Sequence, residues 1–105
     1  MDLEARRLAL HARLVTILGS GNVYFQPPNN LKMVFPCIRY ERAQGDSKFA
    51  GNRLYIFKQR YELTLIHPDP DSAGIREKLL EMPETIHDRW FAADNLNHDV
   101  FTTYF

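Results

Sequence analysis

The chain has 105 residues and a mass of 12.3 kDa, enough for one domain over 1–105 with one core and too short for a large enclosed site. Thirteen Lys and Arg balance thirteen Asp and Glu, the pI is about 6.9, and 45% of residues are hydrophobic. These values exclude a general nucleic-acid coat, a polybasic membrane binder and a disordered chain. Zero net charge also removes colloidal repulsion, which suits a protein packed against others. One cysteine, Cys37, excludes an intrachain disulfide and a thiolate metal cluster, and its apolar run Met33–Ile38 marks it as a small buried hydrophobe. No stretch approaches the roughly 18 apolar residues of a membrane span. The N-terminal segment starts acidic and carries recurring Arg and His, unlike a signal peptide, so an intracellular origin is expected.

Residues 3–18 have a helical period in Leu3, Leu10, Leu14 and Ile17, widened by Leu8, Val15 and Leu18. Gly19 is the natural stop. Residues 23–25 are a short extended piece before the turn Pro27-Pro28-Asn29-Asn30. Val34–Tyr40 reads as a strand, with Pro36 favouring an edge or an early position because it lacks a donor. Residues 41–52, polar with two glycines, read as a long connection. Residues 53–66 form the strongest strand, in which Phe57, Gln59, Tyr61, Leu63 and Leu65 share an apolar face that should meet the helices. The opposite face, Lys58, Arg60, Glu62 and Thr64, should face water or a charged partner. Fourteen residues is long for a strand, and a projecting hairpin arm explains the excess. After His67-Pro68-Asp69-Pro70, Asp71 or Ser72 can cap a second helix over roughly 73–82, ended by Pro83. Residues 86–92 and 98–104 are two more strands around a turn at 93–97. The fold class is α+β: a two-layer sandwich with a mixed or antiparallel sheet of four to five strands on two helices, and a long inter-strand arm.

Charge is segregated along the chain. Residues 32–60 carry a net of +5 and residues 69–99 a net of −5. Such blocks can steer one copy onto another, or neutralise each other within one subunit. Chemistry is poorly signalled. His67, Asp69, Asp71, His87, Asp88, Asp94, His98 and Asp99 supply potential metal ligands without metalloenzyme spacing. Cys37 is not at a helix start, and Ser20, Ser47 and Ser72 have no nucleophile elbow. Neither an enzyme nor a cofactor is expected. Arg42, Lys48, Arg53, Lys58 and Arg60 interleave with Tyr40, Phe49, Tyr55 and Phe57, as in single-strand binders, although inward aromatics are more simply core.

Five segments, Val23-Tyr24-Phe25-Gln26-Pro27-Pro28, Phe35-Pro36-Cys37-Ile38-Arg39-Tyr40-Glu41, Arg60-Tyr61-Glu62-Leu63-Thr64-Leu65-Ile66, Asp69-Pro70-Asp71-Ser72 and Ala93-Asp94-Asn95-Leu96-Asn97-His98, give the chain, over roughly 20–105, a texture that resembles the tail terminator or tail completion proteins of long-tailed bacteriophages and prophages. The resemblance implies a structural virion protein: a homo-oligomeric ring, usually a hexamer, that caps the tail tube and joins it to the head-side connector. It implies copies of itself, tube protein and connector proteins as partners, with DNA passing through unread and no membrane involved. It implies assembly in the bacterial cytoplasm and a final place in the virion tail or neck. Carried onto this sequence, it makes Tyr40, Arg42, Lys48, Phe49, Arg53, Tyr55 and Lys58 the candidates for the subunit interface or the lumen. Two alternatives are another neck or minor tail protein, such as a head–tail joining protein, and a small metal-dependent enzyme or binder built on His67, Asp69 and His87.

Overall fold

The computed structural model describes residues 2–51 and 53–105, with the side chains of Asp46, Phe49, Ala50, Arg53, Leu54, Tyr55 and Ile56 left aside. Helix α1 spans Leu3–Leu18. Asp2 caps it by accepting from the Ala5 N–H at 3.0 Å, which satisfies one of the free donors of the first turn. Gly19 ends it with φ 80 and donates to the Val15 carbonyl, a left-handed conformation that costs glycine no Cβ clash. Leu10 and Leu14 are fully buried, and Val15, Ile17 and Leu18 pack beside them.

Five strands form the main sheet in the order β1-β2-β5-β7-β6. They are β1 (Val23–Phe25), β2 (Cys37–Arg42), β5 (Arg60–His67), β6 (Thr85–Ala93) and β7 (Leu96–Tyr104). Among the described residues only β1 and β2 run parallel, and the other pairings in this sheet are antiparallel. The sheet is therefore mixed, and the expected α+β class holds. β2 begins at Cys37 rather than Val34, directly after Pro36, which has no N–H for a ladder. Although Pro36 favoured an edge, β2 lies inside the sheet between β1 and β5, and the proline sits just before its first residue.

The expected long strand is divided. β4 (Arg53–Lys58) pairs with β3 (Asp46–Ala50) in a separate two-stranded sheet, and β5 starts after Gln59. The Gln59 side chain donates to the carbonyls of Ala43 and Arg60, pinning the point where the chain leaves one sheet for the other. Residues 46–50, read as part of a loop, are thus the first strand of the arm. The molecule measures 51 × 26 × 23 Å. A nine-residue strand spans only about 30 Å, an excess of length that the arm accounts for. The accessible surface of 6737 Å² is likewise about a tenth above that of a compact chain of this mass.

On the helix face of the sheet, Ile38, Tyr40, Tyr61, Leu63, Leu65 and Phe101 meet Leu10 and Leu14 of α1 with Ile75, Leu79 and Met82. Of the five residues that alternation assigns to this face, Tyr61, Leu63 and Leu65 are buried against the helices, whereas Phe57 lies in the separate sheet and Gln59 at its base. The second helix, α2 (Ile75–Leu80), is shorter than expected and is not capped by Asp71. Ser72, Ala73 and Gly74 all have positive φ, so regular helix cannot begin before Ile75. Ser72 still contributes, accepting from the Arg76 N–H at 3.3 Å. β6 and β7 are joined by Asp94 and Asn95, both with positive φ (54 and 61). That is the tight hairpin turn these two residue types tolerate best.

Candidate functional site

Two surfaces stand apart from the body. The first is the arm. It leaves the sheet at Arg42 and Arg60, and its two strands pair with each other rather than with the main sheet. The base is firmly held: Ala43 N–H donates to the Arg60 carbonyl at 2.8 Å, and Arg6 donates to the carbonyls of Phe57 and Phe105 at 3.0 Å each. A Cβ at Gly45 would overlap the Phe57 ring, so a larger residue there would have to push the ring aside.

The four candidates with described side chains, Tyr40, Arg42, Lys48 and Lys58, fall in different surroundings. Tyr40 is 1% exposed, and its placement at an interface or lumen is corrected by its burial. Its ring touches Phe25 and Tyr61, at centroid distances of 4.9 and 5.9 Å. Its hydroxyl takes a hydrogen bond from Arg7 at 3.1 Å and lies 2.8 Å from His11 Nδ1. Burial pushes the phenol's pKa up, against the opposing pull of Arg7. Tyr40 is thus the polar hub under α1, and its inward phase in β2 outweighs its nearness to the arm. Arg42 is exposed at the end of β2, in an open groove of about 210 Å³ with Leu3, Glu4, Arg7, Gln26 and Gln59. Lys48 is exposed on β3. Lys58 ends β4 and meets Glu84 at 2.8 Å. Phe49, Arg53 and Tyr55 belong to the arm by their backbone, and their side chains lie outside the described residues.

The second surface is β6, whose sequence looks like that of an ordinary strand. It is a border strand of the main sheet, nine residues long, and seven of them are exposed. Ile86, Trp90 and Phe91 are 59%, 56% and 40% exposed. The Trp90 indole donates to Asn97 Oδ1 at 3.1 Å, and Phe91 stacks on His98 at 4.7 Å. These rings are held in place while still facing solvent. A bulge between His87 and Arg89 increases the local twist. Such a long, apolar edge is a template for another strand.

Between β5, β7 and β6 lies a polar cluster centred on Asp99, which is 1% exposed. His67 Nε2 is 2.7 Å from one carboxylate oxygen and His87 Nε2 is 2.9 Å from the other. The other ring nitrogen of buried His67 faces the Asp69 carbonyl, so both His67 nitrogens face acceptors. Burial pushes the Asp99 carboxyl up, but the hydrogen bonds and charges of His67 and His87 outweigh it and hold it below its ordinary 3.8. Asp69, named beside these histidines as a metal ligand, contributes only its carbonyl. Among the described residues no group of three or more His, Cys, Asp or Glu is placed to hold a metal ion. The cluster joins three strands. The missed signal was phase: Asp99 precedes Phe101 and Thr103 on the inward face.

Cys37 is fully buried, and burial pushes its thiol up to about 11 despite nearby Arg39, which leaves it un-ionised and unreactive at neutral pH. Among the described residues no helix is long and apolar enough to cross a membrane. No protein-family model matches the chain, and no curated protein matches it.

Proposed function

We propose that the chain is a structural subunit of a phage tail terminator-like ring, which caps the tail tube and joins it to the head-side connector. The observation that carries the reading is the pairing of a projecting, self-contained hairpin arm with a long apolar edge strand on the same small body. An isolated hairpin is marginal in water, and an uncovered apolar edge invites strand addition. Both features acquire a purpose in an assembly made of copies. The family texture of residues 20–105 supplies the kind of assembly, and the positive stretch over 32–60 gives the arm a charge to offer an acidic neighbour or passing DNA.

Incubation with polymerised tail tube followed by electron microscopy of the tube ends tests this function. Rings seated on the ends are the expected result, and binding along the tube sides or no end-binding overturns it. Reversing Arg42 and Arg53 together to Glu is expected to impair ring formation more than monomer folding. Light scattering beside urea denaturation reads the two effects separately.

A further inference from the structure

We infer that the free edge of β6 receives the β3–β4 arm of a second copy, so that the subunits join head to tail through a continuous intermolecular sheet. The proposal deepens the ring reading, on which it rests only for the contact closing into a ring.

The geometry of β6 shows which of its groups are open. The pair Ala93–Leu96 closes the two-residue turn at Asp94 and Asn95, and the closing pair of such a hairpin exchanges hydrogen bonds. Alternation then makes Phe91–His98 the next bonded pair. Trp90 and Ala92 therefore aim their N–H and C=O groups away from β7, toward solvent. Ile86 and Phe91 flank this edge on one face of the sheet, and Trp90 flanks it on the other. An arriving strand would gain main-chain hydrogen bonds and cover apolar side chains from both sides.

The occupant is argued from the arm. Among the described residues each arm strand pairs on one side only, which leaves an outer row of donors and acceptors. In the chain's own sheet β7 lies between β6 and β5, from which the arm departs, and only Lys58 at the arm base meets the β6 end, through Glu84. The arm also leaves from the end of the sheet where β6 begins, marked by the pairs Arg60–Tyr104 and Thr85–Thr103, and so runs away from that edge. Charge agrees. With Lys58 and Glu84 already paired within one subunit, Lys48 and Arg53 against Asp46 leave residues 46–57 one charge positive, while Asp88 and Asp94 against Arg89 leave residues 85–94 one charge negative. Arm and edge are different surfaces, so the contact is heterologous, the type that closes into rings or continues as filaments.

The test uses the full chain at high concentration. A chain carrying Lys48→Cys is mixed with one carrying Arg89→Cys and treated with a short bis-maleimide, the buried Cys37 being silent. Covalent heterodimers are expected above the level given by Lys48→Cys mixed with Ala12→Cys, whose cysteine lies on exposed α1. Adding Ala92→Pro to the Arg89→Cys chain removes one outward N–H without touching the β7 ladder, and the heterodimer should be lost. In the unmodified protein, the Trp90 and Ala92 amides should exchange more slowly with solvent as concentration rises. Cross-linking no higher than the control, or exchange independent of concentration, overturns the proposal. Tube-end capping with cross-linking unaffected by Ala92→Pro removes this interface and leaves the ring reading standing. Cross-linking that depends on Ala92 in a protein that never caps a tube does the reverse.

Discussion

β5 and β6 both run antiparallel to β7 and have nearly the same length, yet one is buried at Tyr61, Leu63, Leu65, Ile66 and His67 while the other is exposed from Ile86 to Ala92. Their compositions do not explain this. RYELTLIH and TIHDRWFAA both combine β-branched and aromatic residues with charges. Position does: β5 has a strand on each side and the helices above it, whereas among the described residues β6 has a strand on one side only. The same residue types stabilise the fold in one strand and are left for a partner in the other.

Truncation should separate the two strands most strongly. Leu63→Ala, at a site with no exposure, is expected to cost about 2–5 kcal/mol. Ile86→Ala, at 59% exposure, should stay within about 0.5 kcal/mol. Urea denaturation of the monomer measures both, and equal losses would mean that β6 is covered within one subunit.

Asp99→Asn probes the cluster that links the strands, and should cost about 2–3 kcal/mol by leaving the histidine bonds without a charged acceptor. The pH dependence has a definite sign. Since the folded carboxyl lies below its ordinary 3.8, its contribution is complete above the unfolded value and disappears as pH falls from there through the folded one. The gap between wild type and Asp99→Asn in denaturation experiments should therefore narrow below about pH 4. A gap constant from pH 7 to pH 2 would show that Asp99 acts by shape alone.

At the arm base, Gly45→Ala must displace the Phe57 ring and should cost about 1 kcal/mol, read as faster proteolytic cleavage between residues 43 and 59. Lys58→Ala should have the smallest effect. Its bond to Glu84 joins side chains that are 44% and 50% exposed, and such pairs contribute about 0–0.5 kcal/mol. A larger loss in low salt would identify this pair as a clamp on the arm.

Period is legible where one face is covered, although Leu3 and Leu8 of the α1 stripe lie exposed. The Leu10–Leu14 stripe and the Tyr61–Leu63–Leu65 alternation announce α1 and the inward face of β5 because burial imposes period on sequence. The arm was legible as excess strand length, but its boundary was not, since Gln59 interrupts the ladder through side-chain bonds to distant carbonyls. Tyr40 was misplaced because its chain neighbours are basic and exposed while its own phase points inward. The accessibility of β6 could not be read at all. Edge status is a property of strand order, and strand order depends on contacts between β5, β7 and β6 that no local pattern encodes.

One side chain ties these regions together mechanically. Arg6 holds the Phe57 carbonyl at the foot of the arm and the Phe105 carbonyl next to β7, while Phe105 N–H reaches the Gln59 carbonyl at 3.0 Å. The first turn of α1, the hinge of the arm and residue 105 thus form one knot. Breaking this knot at one point, as Arg6→Ala would, should therefore loosen the foot of the arm and the chain beyond β7 together.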